Sequence, residues 1–303
     1  MTSLISDMHD ARAHHGGAED APYVVAALYK FVDLTDHQAL QPHIQSLCDG
    51  HDILGTILLA AEGINGTVCG PEKGMAAFLQ WLQDDPRFAG ISLKFSFAPE
   101  QAFLRMKVRL KREIVTMGCP EIRPAQATGT YVEPAGWDAL IDDPDVMVID
   151  TRNRYETAIG SFRGAVDPQT DNFREFPAWA AALADQDETT RPRKLAMFCT
   201  GGIRCEKASA IMMAAGFTNV MQLKGGVLGY FEEVGGDHWD GDCFVFDQRV
   251  AVNPSLEESE VVVCYACREP LSVAEQSSPD YAVGRSCPYC IDRLNLTPIT
   301  DEG

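Results

Sequence analysis

The chain has 303 residues, a net charge of −19, 46% hydrophobic and 23% charged residues, and ten cysteines. That length accommodates two ordinary domains plus a small appendage, and the composition is globular, which excludes a wholly disordered or fibrous chain. No apolar run approaches the roughly 20 residues that span a bilayer, and the strong negative charge opposes general affinity for polyanions, so any RNA contact must come from a local basic patch.

Residues 1–21 have no apolar core and mix His9, His14, His15 and Gly16-Gly17 with acids. They do not form a secretory signal and are expected to be a disordered tail. Without a signal the chain belongs in the reducing cytoplasm, where cysteines serve catalysis or metals rather than disulfides.

From residue 22 to 115 the pattern reads β-α-β-β-α-β. Tyr23–Phe31 is a β-rich apolar run, and Asp36 is placed to cap a helix ending near Gly50. Ile53–Ala60 reads as a buried strand, with Asn65-Gly66 as the turn signal into Thr67–Cys69. Pro71 opens a helix through Gln83, and Ser92–Ala98 closes a ferredoxin-like unit. In Phe103–Lys111 the basic residues Arg105, Lys107, Arg109 and Lys111 alternate with Leu104, Met106, Val108 and Leu110. As a strand, that puts the cations on one face. Between Phe103 and Arg123 there are six basic residues against two acids, the reverse of the chain as a whole. Two readings fit: an edge strand guarded by cations, or a surface that binds phosphates.

Residues 116–130, with Gly118, Pro120, Pro124 and Gly129, read as a linker. From 131 to 236 the apolar runs Val146–Ile149, Leu195–Phe198 and Asn219–Leu223 alternate with helical stretches such as Phe173–Leu183 and Arg204–Ala215. This is the order of a parallel α/β sheet. Residues 237–303 form a cysteine-rich C-terminal segment too small for a core of its own.

At the end of the Leu195–Phe198 run stands Cys199-Thr200-Gly201-Gly202-Ile203-Arg204. A cysteine at the carboxyl end of a parallel strand, followed by a Gly-Gly turn and a helix start, meets converging amides and a positive helix end. Both favour the thiolate, the reactive form, and Arg204 adds a cation. All histidines but His238 lie at or before position 51, so this sheet offers no obvious Cys–His pair. Cys205 is a second thiol beside the loop, fit either to resolve an oxidised Cys199 or simply to pack inward. The pairs Cys264-x2-Cys267 and Cys287-x2-Cys290, nineteen residues apart, have the spacing of a structural zinc ribbon.

The loop resembles that of the rhodanese family, and Asp150-Thr151-Arg152, Glu156, Gly164-Ala165 and Lys224-Gly225-Gly226 extend the likeness over about Tyr131–Gly236. Four residues separate Cys199 from Arg204, one fewer than in cysteine phosphatases, so a phosphoryl group is disfavoured. Three segments together, Ala61-Glu62-Gly63-Ile64-Asn65-Gly66-Thr67, Glu113-Ile114-Val115-Thr116-Met117-Gly118 and Cys199 through Glu206, resemble the tRNA uridine hydroxylases. That resemblance implies O2-dependent conversion of a wobble uridine to 5-hydroxyuridine, with the anticodon region of tRNA as partner. It leaves the electron donor open. Two further readings compete: a sulfurtransferase passing persulfide sulfur through Cys199, and a non-enzymatic binding scaffold.

Overall fold

The computed structural model describes residues 3–14, 21–187, 189–246 and 249–293. It divides into two compact units, Met1–Ala127 and Thr128–Gly303.

The first unit contains α1 (Leu4–His14), β1 (Tyr23–Phe31), α2 (His37–Asp49), β2 (Leu54–Ala60), β3 (Gly63–Pro71), α3 (Glu72–Asp84), β4 (Ser92–Ala98) and β5 (Met106–Leu110). The strand order is β4-β1-β3-β2-β5. The first four strands are antiparallel neighbours in the expected ferredoxin-like order, while β5 joins the free edge of β2 in parallel. Alternation explains the layering: Val24, Ala26 and Leu28 of β1 and Ile57 and Leu59 of β2 share one core with Ile44, Phe78 and Leu79 from the helices.

Three expectations are corrected here. The tail is ordered between Leu4 and His14, where α1 buries Met8 completely and lays Leu4 and Ile5 on the same core. Residues 1, 2 and 15–20 of that expected tail lie outside the described residues. The β2–β3 turn falls at Ala61-Glu62, since Ala60 pairs with Gly63, and Asn65-Gly66 sits inside β3. Asp36 precedes α2 without a capping bond from its side chain and instead takes Arg87 Nη1 at 2.5 Å.

The second unit contains β6 (Thr130–Val132), α4 (Pro134–Ile141), β7 (Val146–Asp150), α5 (Arg154–Thr157), β8 (Gly160–Phe162), α6 (Phe176–Ala184), β9 (Lys194–Phe198), α7 (Ile203–Ala214), β10 (Val220–Leu223) and α8 (Gly226–Glu233). It continues with β11 (Trp239–Gly241), β12 (Cys243–Phe244), β13 (Ala251–Val252), β14 (Val262–Val263), β15 (Pro270–Leu271) and α9 (Val273–Gln276). Its main sheet is parallel, in the order β6-β10-β9-β7, so β9 has a partner on each side. Ala196 and Phe198 pack with Trp137, Val227 and Tyr230, while α7 packs against β9 and β10.

The C-terminal boundary also moves. β11 pairs with β8, and Trp239, Cys243, Val245 and Val252 belong to the same core as Phe198. Residues 239–245, Val252 and Leu256 therefore pack with the parallel-sheet unit, and Cys264, Cys287 and Cys290 form a cluster of their own with Leu271.

Candidate active site

β9 ends at Cys199, and the chain turns at once into α7 through Gly202, whose φ of 93° lies in the left-handed region. The turn is locked from behind by the start of α8. Val227 N–H donates to Cys199 O at 3.0 Å and Leu228 N–H to Thr200 O at 3.1 Å. This packing needs a residue without Cβ at Gly226, where a Cβ would sit 2.4 Å from Cys199 O and 2.7 Å from Gly202 N. Two helix starts, those of α7 and α8, therefore shape one loop, with Gly202 required by its positive φ and Gly226 by close packing.

Cys199 has no accessible surface. Gly202 N–H donates to its sulfur at 3.1 Å, and the amides of Arg204 and Cys205 also point to it. Burial by itself would raise this thiol, but a hydrogen bond from the Cys205 thiol, the Arg204 charge and the loop amides outweigh it and bring it down to about 5. Cys205 shifts the other way. It is buried, faces the Cys199 sulfur and is pushed well above the ordinary thiol range, and its sulfur lies 3.5 Å from Thr151 Oγ1. The two sulfurs are thus pushed in opposite directions, Cys199 toward the thiolate and Cys205 toward the thiol.

Arg204, expected as a cation close to the loop, does act on Cys199 but is also held from the side. It makes a two-pronged ion pair with the fully buried Glu156, at 2.6 and 2.7 Å. Burial alone would raise the Glu156 carboxyl, but Arg204, with help from Arg152, holds it below the usual range. Glu156 also closes a capping box on α5, accepting from Asn153 N–H at 3.1 Å, so its position is set by its own helix. A second buried pair lies beneath: Arg152 donates to Asp150 at 2.9 and 2.7 Å, and Ser161 Oγ donates to the same carboxylate at 2.8 Å. Both Asp150 and Arg152 are fully buried and bonded to each other, so they brace the site from beneath. Thr151 tightens the strand end by donating its amide and its hydroxyl to Phe198 O at 3.0 and 2.9 Å.

One wall was not legible from the loop. β12 brings Cys243 and Phe244 alongside it, and Thr200 Oγ1 donates to Phe244 O at 3.4 Å. Cys243 is fully buried and its thiol is pushed up to about 12, mainly by desolvation. It is a core thiol, as its lack of a spacing partner implied.

The segments Ala61–Thr67 and Glu113–Gly118 of the first unit prove to bind each other. Glu62 Oε1 accepts from Ile114 N–H at 2.7 Å, Asn65 Nδ2 donates to Ile114 O at 3.0 Å, and Glu113 accepts from Met117 and Gly118 N–H at 3.1 and 3.0 Å. β5 is an edge strand. Arg109 is exposed on it, Arg105 just before it and Lys111 just after it. The expected clean division into a basic and an apolar face is only partial: Val108 is buried, but Leu104 is fully exposed and Leu110 nearly half exposed. Desolvation and repulsion from Arg105 and Arg109 lower the Lys107 ammonium, and among the described residues no acid is ion-paired with Arg105, Lys107, Arg109 or Lys111.

Cys264, Cys267, Cys287 and Cys290 converge so that their sulfurs all lie within 4.8 Å of one another. Cys264 and Cys290 are 4.0 Å apart, Cys267 and Cys287 3.5 Å, and Cys287 and Cys290 3.7 Å, with all four free of disulfides. Four thiolates about 2.3 Å from a tetrahedral zinc stand about 3.8 Å apart, so the donor set fits that ion. No described helix is long and apolar enough to cross a membrane.

A thiolate cradled between two helix starts on a four-stranded parallel sheet defines a rhodanese-like catalytic unit. The Rhodanese-like domain family indeed matches residues 134–233, and the UPF0176 acylphosphatase like domain matches residues 23–114. A protein of Rhizobium leguminosarum bv. trifolii, named tRNA uridine(34) hydroxylase, is 54% identical over 90% of this chain and 88% of its own length. Proteins of the same name from Mesorhizobium japonicum and Rhizobium etli are 53% and 52% identical, over 91% and 93% of this chain and 89% and 90% of theirs. The chain belongs to the tRNA uridine(34) hydroxylase family.

Proposed function

We propose that this protein hydroxylates C5 of the wobble uridine, position 34 in the anticodon of tRNA, with Cys199 as nucleophile and O2 as oxidant. The observation that carries the reading is a buried sulfur at a helix start that accepts the Gly202 amide at 3.1 Å, in a setting of amides, Arg204 and Cys205 that favours its thiolate. Uracil is a poor nucleophile at C5 until something adds at C6. Addition of the Cys199 sulfur at C6 makes an enolate whose C5 attacks an oxygen electrophile at the peroxide level. Loss of the C5 proton and expulsion of the thiolate restore the ring. One oxygen atom of O2 enters the C5–H bond and the other leaves as water, with two electrons and two protons drawn from an external reductant. Since Cys199 is covered, the base must be splayed out of the anticodon stack and must enter where the loop opens, at Gly201, with nothing within 4 Å of the position a Cβ would take. A persulfide or sulfenic acid on Cys199 is the alternative working species.

Arg105, Lys107, Arg109 and Lys111 supply phosphate contacts in this reading. Lys111 continues into a cleft of about 660 Å³ that Arg112, Arg123 and His37 also line. The four C-terminal cysteines hold a structural zinc, which takes no part in the chemistry, and a tRNA substrate places the enzyme in the cytoplasm. The test is nucleoside mass spectrometry of tRNA from a deletion strain complemented with wild type or Cys199→Ala. Only the wild type should restore 5-hydroxyuridine and its derivatives. Unchanged levels in the deletion, in a background without a parallel route, refute hydroxylation, and loss of thiolated nucleosides instead would establish sulfur transfer.

A further inference from the structure

Beside the loop stands an aromatic side chain that the fold does not use. Along Cys243–Phe246 burial alternates: Cys243 and Val245 are buried in the core of the second unit, while Phe244 and Phe246 fall on the opposite side. On that side the Phe246 ring reaches the Arg204 side chain at the end of the loop. Phe244 receives the Thr200 hydroxyl on its carbonyl, and its ring meets Tyr155 edge-to-face at 5.3 Å. Phe246 stacks edge-to-face on Phe244 at 5.1 Å, and the Arg204 guanidinium carbon lies 5.8 Å from its ring centroid. Yet Phe246 is 68% exposed and contributes nothing to the core cluster.

A single exposed ring is ordinary on a protein surface; this one is set apart by its neighbours, Phe244 and the Arg204 guanidinium of the active-site loop. Here the surface adjoins one chemistry only. Phe244, itself packed on Tyr155, supports the ring, the Arg204 guanidinium lies near it, and most of the ring is exposed. A flat, uncharged π-surface next to a thiolate is matched by a nucleobase, and stacking on an aromatic ring tolerates any base. Building on the uridine-hydroxylating reading above, we propose that Phe246 is the stacking platform for the nucleobase presented to Cys199. It would compensate for the neighbour-stacking that the base loses when it leaves the anticodon stack. Phe246 is a positioning residue in this account: it holds the base, and Cys199 reacts with it.

The experiment compares full-length wild type with Phe246→Ala, Phe246→Leu and Phe246→Tyr. The substrate is an anticodon stem-loop RNA, with the dissociation constant measured alongside turnover. Base–aromatic stacking worth about 1–3 kcal/mol corresponds to roughly 5- to 150-fold in affinity. Phe246→Ala and Phe246→Leu should weaken binding and raise KM within that range, with Phe246→Tyr close to wild type and the Cys199 thiolate titration unmoved in all three. Equal binding by Leu and Tyr variants would make the ring a mere apolar contact, and wild-type affinity in Phe246→Ala would remove it from the site. Either result overturns the proposal while leaving hydroxylation standing. Wild type that binds the RNA tightly but forms no 5-hydroxyuridine would instead refute the hydroxylase reading, and the affinity series would still decide the role of Phe246.

Discussion

Cys48 and Cys199 are equally inaccessible, each with zero exposure, and their sulfurs behave in opposite ways. Cys48 lies on α2 among Ile44, Ile53 and other core residues of the first unit, and burial pushes its thiol up to about 12. Cys199 is more deeply enclosed in polar groups, and its thiol comes down to about 5. Burial raises a thiol when the surroundings are apolar and amplifies whatever charge it meets when they are not. The first unit uses Cys48 for packing. The second surrounds Cys199 with a loop that two helix starts, one guanidinium and one neighbouring thiol complete.

The largest effect should separate these two thiols directly. Cys199→Ala removes the nucleophile and is expected to lower hydroxylation by roughly 10⁴-fold or more, whereas Cys48→Ala should leave kcat within about twofold. Turnover on purified tRNA checks both. Activity surviving in Cys199→Ala would mean that the loop binds but does not react.

The next effect is on stability. Glu156→Gln leaves Arg204 buried without its counter-charge, and breaking such a pair costs about 3–5 kcal/mol. Denaturant unfolding should show the loss as a lower midpoint for the second unit. A comparable change at the exposed pair Lys224–Glu133 should cost less than about 1 kcal/mol. Equal effects at both pairs would show that the Glu156–Arg204 contact is looser than its 2.6 and 2.7 Å bonds imply.

The depressed thiol also predicts the sign of a pH effect. An unfolded cysteine titrates near about 8.5, so Cys199 stabilises the fold as thiolate, fully above that pH and progressively less as pH falls toward about 5. Wild type should therefore exceed Cys199→Ala in stability by more at pH 9 than at pH 5. Thiolate absorbance near 240 nm should show a component with a midpoint near 5 that vanishes in Cys199→Ala and persists in Cys48→Ala. The basic edge gives a smaller, salt-dependent effect. Reversing Arg105, Lys107 and Arg109 to glutamate should reduce the slope of log K against log salt by about 2, three contacts at roughly 0.7 each on single-stranded RNA. An unchanged slope would leave β5 as an edge guarded against strand addition.

What the sequence displayed was whatever is local. Cys199 through Arg204 and the two Cys-x2-Cys pairs are short spacings whose chemistry is set within a few residues, and the structure brings both sets together as expected. The β-α-β-β-α-β order was equally visible, because each run carries its own periodicity. Contacts across long separations were not. Nothing at position 204 announces that its charge is taken by Glu156, 48 residues away, or that Phe244 and Phe246 return to wall the loop after the sheet has ended. The β2–β3 turn was misplaced because Asn65-Gly66 is the stronger turn signal, although Ala61-Glu62 makes the turn. The α1 stripe of Leu4, Ile5 and Met8 is too short to register before its partner core is known.

Cys205 provides the finest test of the comparison. Its thiol donates to the Cys199 sulfur and itself stays protonated, so it acts on the nucleophile without reacting. A hydrogen bond to a charged group is worth about 1.5–3 kcal/mol, which is about 1–2 units of pKa. Cys205→Ala should therefore move the Cys199 midpoint up by that amount. Arg204 and the loop amides remain, so Cys199 stays below the range of the apolar thiol at Cys48. At pH 8 the thiolate still dominates and turnover should fall less than about twofold; at pH 6 the deficit should widen as the nucleophile becomes protonated. A deficit independent of pH would point instead to Cys205 as the resolving thiol of an oxidised Cys199, and trapping the variant with a thiol-blocking reagent during turnover should then reveal an accumulated oxidised form. A midpoint that does not move would assign the whole depression to the guanidinium and the amides, leaving Cys205 as packing alone.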